Sequence, residues 1–263
     1  MLLAKKSLGQ NFLINPHILD KIVATADITS NETILEIGPG TANLTRILSK
    51  KAGKVVAIEK DHRLISVLAE EFKNSNVKLV EDDILKLNPE NLGLTSGYKI
   101  VANIPYYITS NLLRIIFESE TWRATKPSLI VLTIQKEVAQ RIIAKPPHTN
   151  LLALSVQYYA EPKIISYISK NNFRPVPKVD SAIIRLKPYN GSYCATALQA
   201  KELFDLMRAG FSEKRKQLAP VLSKKLKLPK ENITNAFKES GLAPNVRPEN
   251  LSLNQWQELS KLL

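Results

Sequence analysis

The sequence predicts an α/β fold: a doubly wound, mostly parallel sheet followed by a small C-terminal all-helical domain. Three observations predict it. From Thr33 onward, short β-branched apolar runs alternate with segments whose apolar residues recur every three or four positions, as strands buried on both faces alternate with covering helices. A glycine turn, Gly38-Pro39-Gly40, follows the first of these strands directly, at the place where such sheets bind their ligands. After Pro188 the strand pattern stops and only helical periodicity continues.

The strands are expected at 33-TILEI-37, 54-KVVAI-58, 77-VKLVE-81, 99-KIVAN-103 and 128-SLIVLTI-134. Between them, 43-NLTRILSK-50, 61-DHRLISVLAEEF-72 and 110-SNLLRIIF-117 carry helical spacing, which makes a βαβαβ series. A last strand, 181-SAIIRLKP-188, follows the turn-rich 173-FRPVPKVD-180. Periodicity does not decide 151-LLALSVQYYA-160; helix is the preferred reading. Helices are expected near 198–211, 214–226, 230–241 and 254–263, and a boundary near 187-KPYNGS-192 divides the chain into a catalytic domain, 1–187, and a helical domain, 188–263.

Composition narrows the function. No apolar run approaches the roughly 18 residues needed to cross a bilayer, and 1-MLLAKKSLGQNFL-13 builds no secretory apolar stretch, so a cytoplasmic protein without membrane attachment is expected. The single cysteine, Cys194, excludes an internal disulfide, a zinc knuckle and a redox pair. No metal is expected, and His17, His62 and His148 match no catalytic pattern. The net charge is +13 and the pI about 9.7, within the range of nucleic-acid-binding domains. The charge is densest late in the chain. Arg208, Lys214, Arg215, Lys216, Lys224, Lys225, Lys227 and Lys230 face Glu213 alone. Such a run is by itself an ordinary solvated face; as a phosphate-binding patch, its core is Arg208, Lys214, Arg215, Lys216, Lys224 and Lys225.

The strand ends carry the chemistry. Gly38 and Gly40 let the backbone approach a ligand without a Cβ in the way. Glu59 closes the second strand twenty-one residues after Gly38, where a carboxylate accepts both hydroxyls of a ribose. In Glu81-Asp82-Asp83 at the third strand end, Asp83 is best placed to hold an adenine amino group. Pro39 removes a backbone donor from the turn, which favours S-adenosylmethionine over a dinucleotide. At the fourth strand end stands Asn103-Ile104-Pro105-Tyr106. Pro105 holds Ile104 extended, so the Asn103 amide oxygen and the Ile104 carbonyl can bind both protons of an exocyclic amine, while Tyr106 offers a stacking surface.

In order, 5-KKSLGQNFLIN-15, 35-LEIGPGTANLT-45, 56-VAIEKD-61, 82-DDIL-85, 102-ANIPYYITS-110, 133-TIQKEVAQRI-142, 173-FRPVPKVDSAIIRL-186 and 211-FSEKRKQL-218 resemble the KsgA-type rRNA adenine N6-dimethyltransferases over nearly the whole chain. The resemblance implies a class I methyltransferase fold with an appended helical domain. It implies transfer of two methyl groups from S-adenosylmethionine to each of two adjacent adenosines near the 3′ end of small-subunit (16S) rRNA, with the 30S subunit as partner and the enzyme acting as a monomer. It also implies that Asn11, Leu13, Gly38, Glu59, Asp83 and Asn103 contact the cofactor, and it makes Phe173 a second aromatic facing Tyr106 across the target base, with ordinary core packing as the equal alternative for Phe173. Three departures stand out: Ala42 where many members carry Gly, Tyr107 in place of a commoner small polar residue, and no glycine in 148-HTNLLALS-155. The rival readings are an Erm-type enzyme acting on large-subunit rRNA, a DNA adenine methyltransferase, and a non-catalytic RNA-binding assembly factor. Val179-Asp180-Ser181-Ala182 and the basic 211–218 segment favour the first reading.

Overall fold

The computed structural model describes residues 4–5, 8–189, 197–213 and 215–263. Cys194 and Lys214 lie outside them. The chain divides into two compact units, Met1–Ala139 with Glu161–Pro188, and Gln140–Ala160 with Tyr189–Leu263.

In the first unit the elements run β1 (Phe12–Leu13), α1 (Pro16–Ala26), β2 (Thr33–Ile37), α2 (Thr45–Lys51), β3 (Lys54–Glu59), α3 (His62–Glu71), β4 (Val77–Glu81), β5 (Lys99–Asn103), α4 (Thr109–Glu118), α5 (Glu120–Ala124), β6 (Leu129–Gln135) and α6 (Lys136–Ile142), the last running on into the second. Then, after α7 (Leu151–Tyr159), come β7 (Ala160–Ile168), β8 (Phe173–Arg174) and β9 (Ser181–Pro188). Seven strands form one sheet in the order β4-β3-β2-β5-β6-β9-β7. β2, β3, β4, β5 and β6 are parallel to their neighbours, and β9 joins β6 antiparallel, Ser181 opposite Gln135. The central strands are buried on both faces, which is why they read as unbroken apolar runs. The strand order reverses between β2 and β5; a crevice opens beyond strand ends at such a point.

Two elements of this unit do not show in the apolar pattern. β7 contains Pro162, which cannot donate to a ladder, yet it stands at the sheet edge, where proline is tolerated. α1 begins at Asn15, whose side chain accepts from the His17 amide, with Pro16 in its first turn; this is a good helix start just after the N-terminal arm, residues 8–13.

The second unit is helical: α7, α8 (Ala197–Phe211), α9 (Leu218–Leu226), α10 (Lys230–Glu239) and α11 (Leu253–Leu262). The segment Gln140–Ala160, expected with the first domain, groups here. α7 is apolar nearly all round, so it needs cover on several sides, and Tyr159 stacks on Phe204 with centroids 5.7 Å apart. Asn150 starts α7 by accepting from the Ala153 amide, and the Thr149 hydroxyl donates to the Glu249 and Leu251 carbonyls. Those bonds define the backbone where the family resemblance led us to expect a glycine. Trp256 fills the centre of this unit, fully buried; a Cβ on Gly210 would stand 2.5 Å from its ring, so α8 can approach only through a glycine. α9 starts at Leu218, four residues later than the periodicity suggested. Arg215 and Lys216 therefore lie in the turn between α8 and α9 rather than on a helix face.

Candidate active site

The crevice at the carboxyl ends of β2 and β5 is walled by Leu8–Phe12, Gly38 and Gly40, Glu59 and Lys60, and residues 103–107, and opens to solvent at its mouth. The turn after β2 places Gly38 at φ +70° and Gly40 at φ +57°. The Gly38 amide donates to the Ile58 carbonyl at 2.8 Å, and a Cβ on Gly40 would stand 2.8 Å from the Phe12 ring. Glycine is therefore required at position 40 both by conformation and by the ring lying against it. Ala42 closes the turn at φ +65°, a conformation that costs a side-chain-bearing residue about 1–2 kcal/mol. Its methyl is fully buried beside Leu64, Leu68 and Phe72, which returns about 0.8 kcal/mol and explains how alanine persists here.

Glu59, at the end of β3, is bound by backbone. Its Oε2 accepts from the Gly40 amide at 3.1 Å, and its Oε1 from the Lys60 and Asp61 amides, each at 2.9 Å. Burial pushes its pKa up, the three amides oppose this, and the Asp61 charge adds to the rise. A carboxylate has about four acceptor positions; with three filled, Oε2 keeps one. On the neighbouring strand β2, opposite Ala57, Glu36 is fully buried, its Oε2 without a partner. Burial, with the charge of Glu59 added, pushes its pKa up to about 8, so it holds a proton at neutral pH.

Asn103 ends β5, and its Nδ2 donates to the Asn11 carbonyl at 3.1 Å. A carbonyl only accepts, so that bond fixes which way round the amide sits and turns Oδ1 away from the arm. Among the described residues neither Oδ1 nor the Ile104 carbonyl receives a hydrogen bond from the protein. Pro105 follows with φ −58° and ψ 133°. Tyr106 then opens a single 3₁₀ turn, and its hydroxyl meets the Ser181 hydroxyl at 2.7 Å. Ser181 is fully buried at the start of β9, so the sheet itself fixes the ring. Burial raises the Tyr106 pKa, partly offset by that hydrogen bond, and the phenol stays neutral. The arm is tied over the crevice by Gln10, whose Nε2 donates to Asp61 Oδ2 at 2.9 Å, and by pairing of β1 with β8.

With this geometry in place, the model for the family described as ribosomal RNA adenine dimethylase matches residues 1–263. The chain belongs to the ribosomal RNA adenine dimethylase family. It is 42% identical over 258 residues to a ribosomal RNA small subunit methyltransferase A of Dehalococcoides mccartyi, covering 97% of this chain and 87% of the relative. It is 41% identical to the protein of that name from Mycoplasmopsis pulmonis, covering 94% of each. Among solved structures it resembles a dimethyladenosine transferase from Plasmodium falciparum, with TM-score 0.77, 29% identity, and 94% and 95% of the two chains covered. It also resembles the 23S rRNA methyltransferase ErmE, with TM-score 0.76, 26% identity, and 96% and 99% covered.

Of the residues singled out in the sequence, the dimethylase crevice brings together Asn11, Gly38, Gly40, Glu59, Asn103, Ile104, Pro105 and Tyr106. Three are not on its wall. Phe173 is fully buried in the main core with Leu13 and Ile183, where pairing with β1 sets its ring. The Leu13 side chain lies in that core, and its carbonyl accepts from Asn43 Nδ2 at 2.9 Å. Asp83 is engaged by Lys60 Nζ at 2.8 Å and by the Leu85 amide at 3.1 Å, so Lys60 rather than Asp83 reaches the crevice. Sequence reading gives Glu36 no role, and takes Ser181 only as part of the Val179 to Ala182 motif. A glutamate inside an otherwise apolar strand was the signal for the first; nothing in the spacing marks the second.

In the helical unit, Arg215, Lys216 and Lys224 line a groove with Gln217, Asn245 and Arg247. Lys225 is exposed on the last turn of α9. Arg208 stands apart from the groove, its guanidinium donating to Asp205 at 2.7 Å.

Proposed function

We propose that this dimethylase transfers methyl groups from S-adenosylmethionine to N6 of two adjacent adenosines near the 3′ end of small-subunit rRNA. The observation that carries the reading is the pair of unengaged acceptors, Asn103 Oδ1 and the Ile104 carbonyl, beside Tyr106 at the crevice that Gly40 and Glu59 wall.

The residues fit the cofactor. At Gly38 a Cβ would meet nothing nearer than Pro105 at 3.8 Å, which leaves room for a ligand against the backbone, Glu59 Oε2 retains an acceptor position for a ribose hydroxyl, and Asn11 and Lys60 complete the wall. When bound there, S-adenosylmethionine supplies an electrophilic methyl carbon on a sulfonium leaving group. The chain's own task is alignment. An adenine N6 amine is a poor nucleophile because its lone pair is delocalised into the ring. Two acceptors fixed at Asn103 and Ile104 hydrogen-bond its N–H groups out of the ring plane and localise that pair towards the methyl carbon, and the proton that the amine sheds with each methyl gained passes to solvent. Tyr106, pinned by Ser181, holds the base by stacking. Holding reactants in register lowers a barrier by about 7–11 kcal/mol, so no side chain of unusual basicity is needed.

The groove around Arg215, Lys216 and Lys224 suits the phosphate backbone of the RNA, with Lys225 and Lys214 adding charge. The reading includes an enzyme working as a monomer in the cytoplasm on the 30S subunit, as the family resemblance implies. Against the Erm-type alternative stand the names of the relatives near 40% identity; against a non-catalytic factor stand the intact acceptors. The test is transfer of tritiated methyl groups to undermethylated small subunits, naked small-subunit rRNA and large-subunit rRNA in parallel. Label should enter small-subunit material alone; label on large-subunit rRNA would move the reading to the Erm type, and none at all would leave an RNA-binding factor.

A further inference from the structure

Tyr106 and Tyr107 are consecutive in a 3₁₀ turn, where successive side chains point about 120° apart. One turns in to Ser181. The other stays 58% exposed while lining the same crevice. A single exposed tyrosine is ordinary on a protein surface, but this ring is held. A Cβ built on Gly9 would stand 3.1 and 3.3 Å from two of its carbons, so the ring rests on the arm's backbone, where only a glycine, at φ +60°, lets it lie. The ring thus lies against the Gly9 backbone and keeps an open face at the crevice mouth. Of the aromatic side chains that line the crevice, Phe12 and Tyr106 are half-buried and Tyr107 is exposed beside the Asn103 to Tyr106 wall.

We propose that Tyr107 is a stacking platform for the nucleobase adjacent to the target adenosine. The inference rests on the reaction proposed above and adds a second base-binding position to it. While the target amine is held at Asn103 and Ile104, the sugar-phosphate strand passes through the mouth, so the next base along the strand is the one that meets the free face of Tyr107. Stacking reads no hydrogen-bond pattern and accepts any base. It therefore suits a site that must hold each member of an adjacent pair while the other reacts, before and after methylation.

The test uses the full chain, undermethylated small subunits and the variants Tyr107→Trp, Tyr107→Phe and Tyr107→Leu, with S-adenosylmethionine affinity measured by calorimetry alongside. Phe and Trp should keep the wild-type KM for subunits, whereas Leu should raise it about tenfold, within the range that loss of one base stack produces, with cofactor affinity equal in all four proteins. An unchanged KM in Tyr107→Leu, or a Phe variant as impaired as Leu, overturns the proposal. A fall in cofactor affinity that tracks KM overturns it too, because Tyr107 would then only prop the arm through Gly9. Wild-type protein that transfers no methyl to subunits would instead defeat the parent reading, and this one with it.

Discussion

The hydrogen bond between Tyr106 and Ser181 gives a quantitative handle on how the target platform is held. The two hydroxyls are 2.7 Å apart, but their surroundings differ: Ser181 is fully buried, whereas Tyr106 is half-buried and borders the open crevice. Net, such a bond is worth about 1 kcal/mol, while a buried polar group stripped of its partner costs about 1–3 kcal/mol. Tyr106→Phe strands the Ser181 hydroxyl away from water and should destabilise by about 2 kcal/mol. Ser181→Ala leaves the phenol able to bond water in the crevice and should cost about 1 kcal/mol. The double variant strands neither, so the two losses should fall short of adding by about 1–2 kcal/mol. Urea denaturation of the four proteins measures the cycle, and kcat on small subunits should fall in Ser181→Ala with cofactor affinity unchanged. Strict additivity, or a Tyr106→Phe variant as stable as wild type, would refute the idea that β9 positions the ring.

Other expectations follow from the same geometry. Gly40→Ala pushes a methyl to within 2.8 Å of the Phe12 ring at a positive φ, and calorimetry should show S-adenosylmethionine affinity falling about tenfold or more, the equivalent of at least about 1.4 kcal/mol. Glu36, with a pKa raised to about 8 from 4.5, keeps its proton folded and loses it unfolded between those values, so its contribution to stability is present below about pH 4.5 and is lost as pH rises through 8. Melting temperatures from pH 5 to 9 should therefore decline less steeply in Glu36→Gln than in wild type; parallel declines would contradict that. Replacing Arg215 and Lys216 with alanine should flatten the salt dependence of RNA binding by about 0.7 per lost phosphate contact on single-stranded RNA, and an unchanged slope would return the pair to plain solvation.

How much of this was legible in the sequence depended on the physics of each element. β2, β3, β5 and β6 were plain because strands buried on both faces must be apolar throughout, and the glycine turn and Asn103 to Tyr106 announced the crevice because they close such strands. β7 was hidden by Pro162, which only its edge position permits. For Phe173 the sequence leaves a facing aromatic and core packing equally open, because a spacing argument cannot tell which way a two-residue strand turns its ring; its place in the core follows from pairing with Phe12 and Leu13. Asp83, expected to hold an adenine amino group, is engaged by Lys60, twenty-three residues away, a pairing that strand-end position does not show. Ser181 could not be found from spacing at all, since it meets Tyr106 across 75 residues through antiparallel pairing of the last strands.

The central claim is that the Asn103 oxygen, oriented by the Asn11 carbonyl, grips the target amine. Digesting treated small-subunit rRNA to nucleosides and weighing them by mass spectrometry tests it most directly. The wild-type protein should yield N6,N6-dimethyladenosine, and Asn103→Ala should yield neither the mono- nor the dimethylated nucleoside. A wild-type yield from Asn103→Ala would contradict the account.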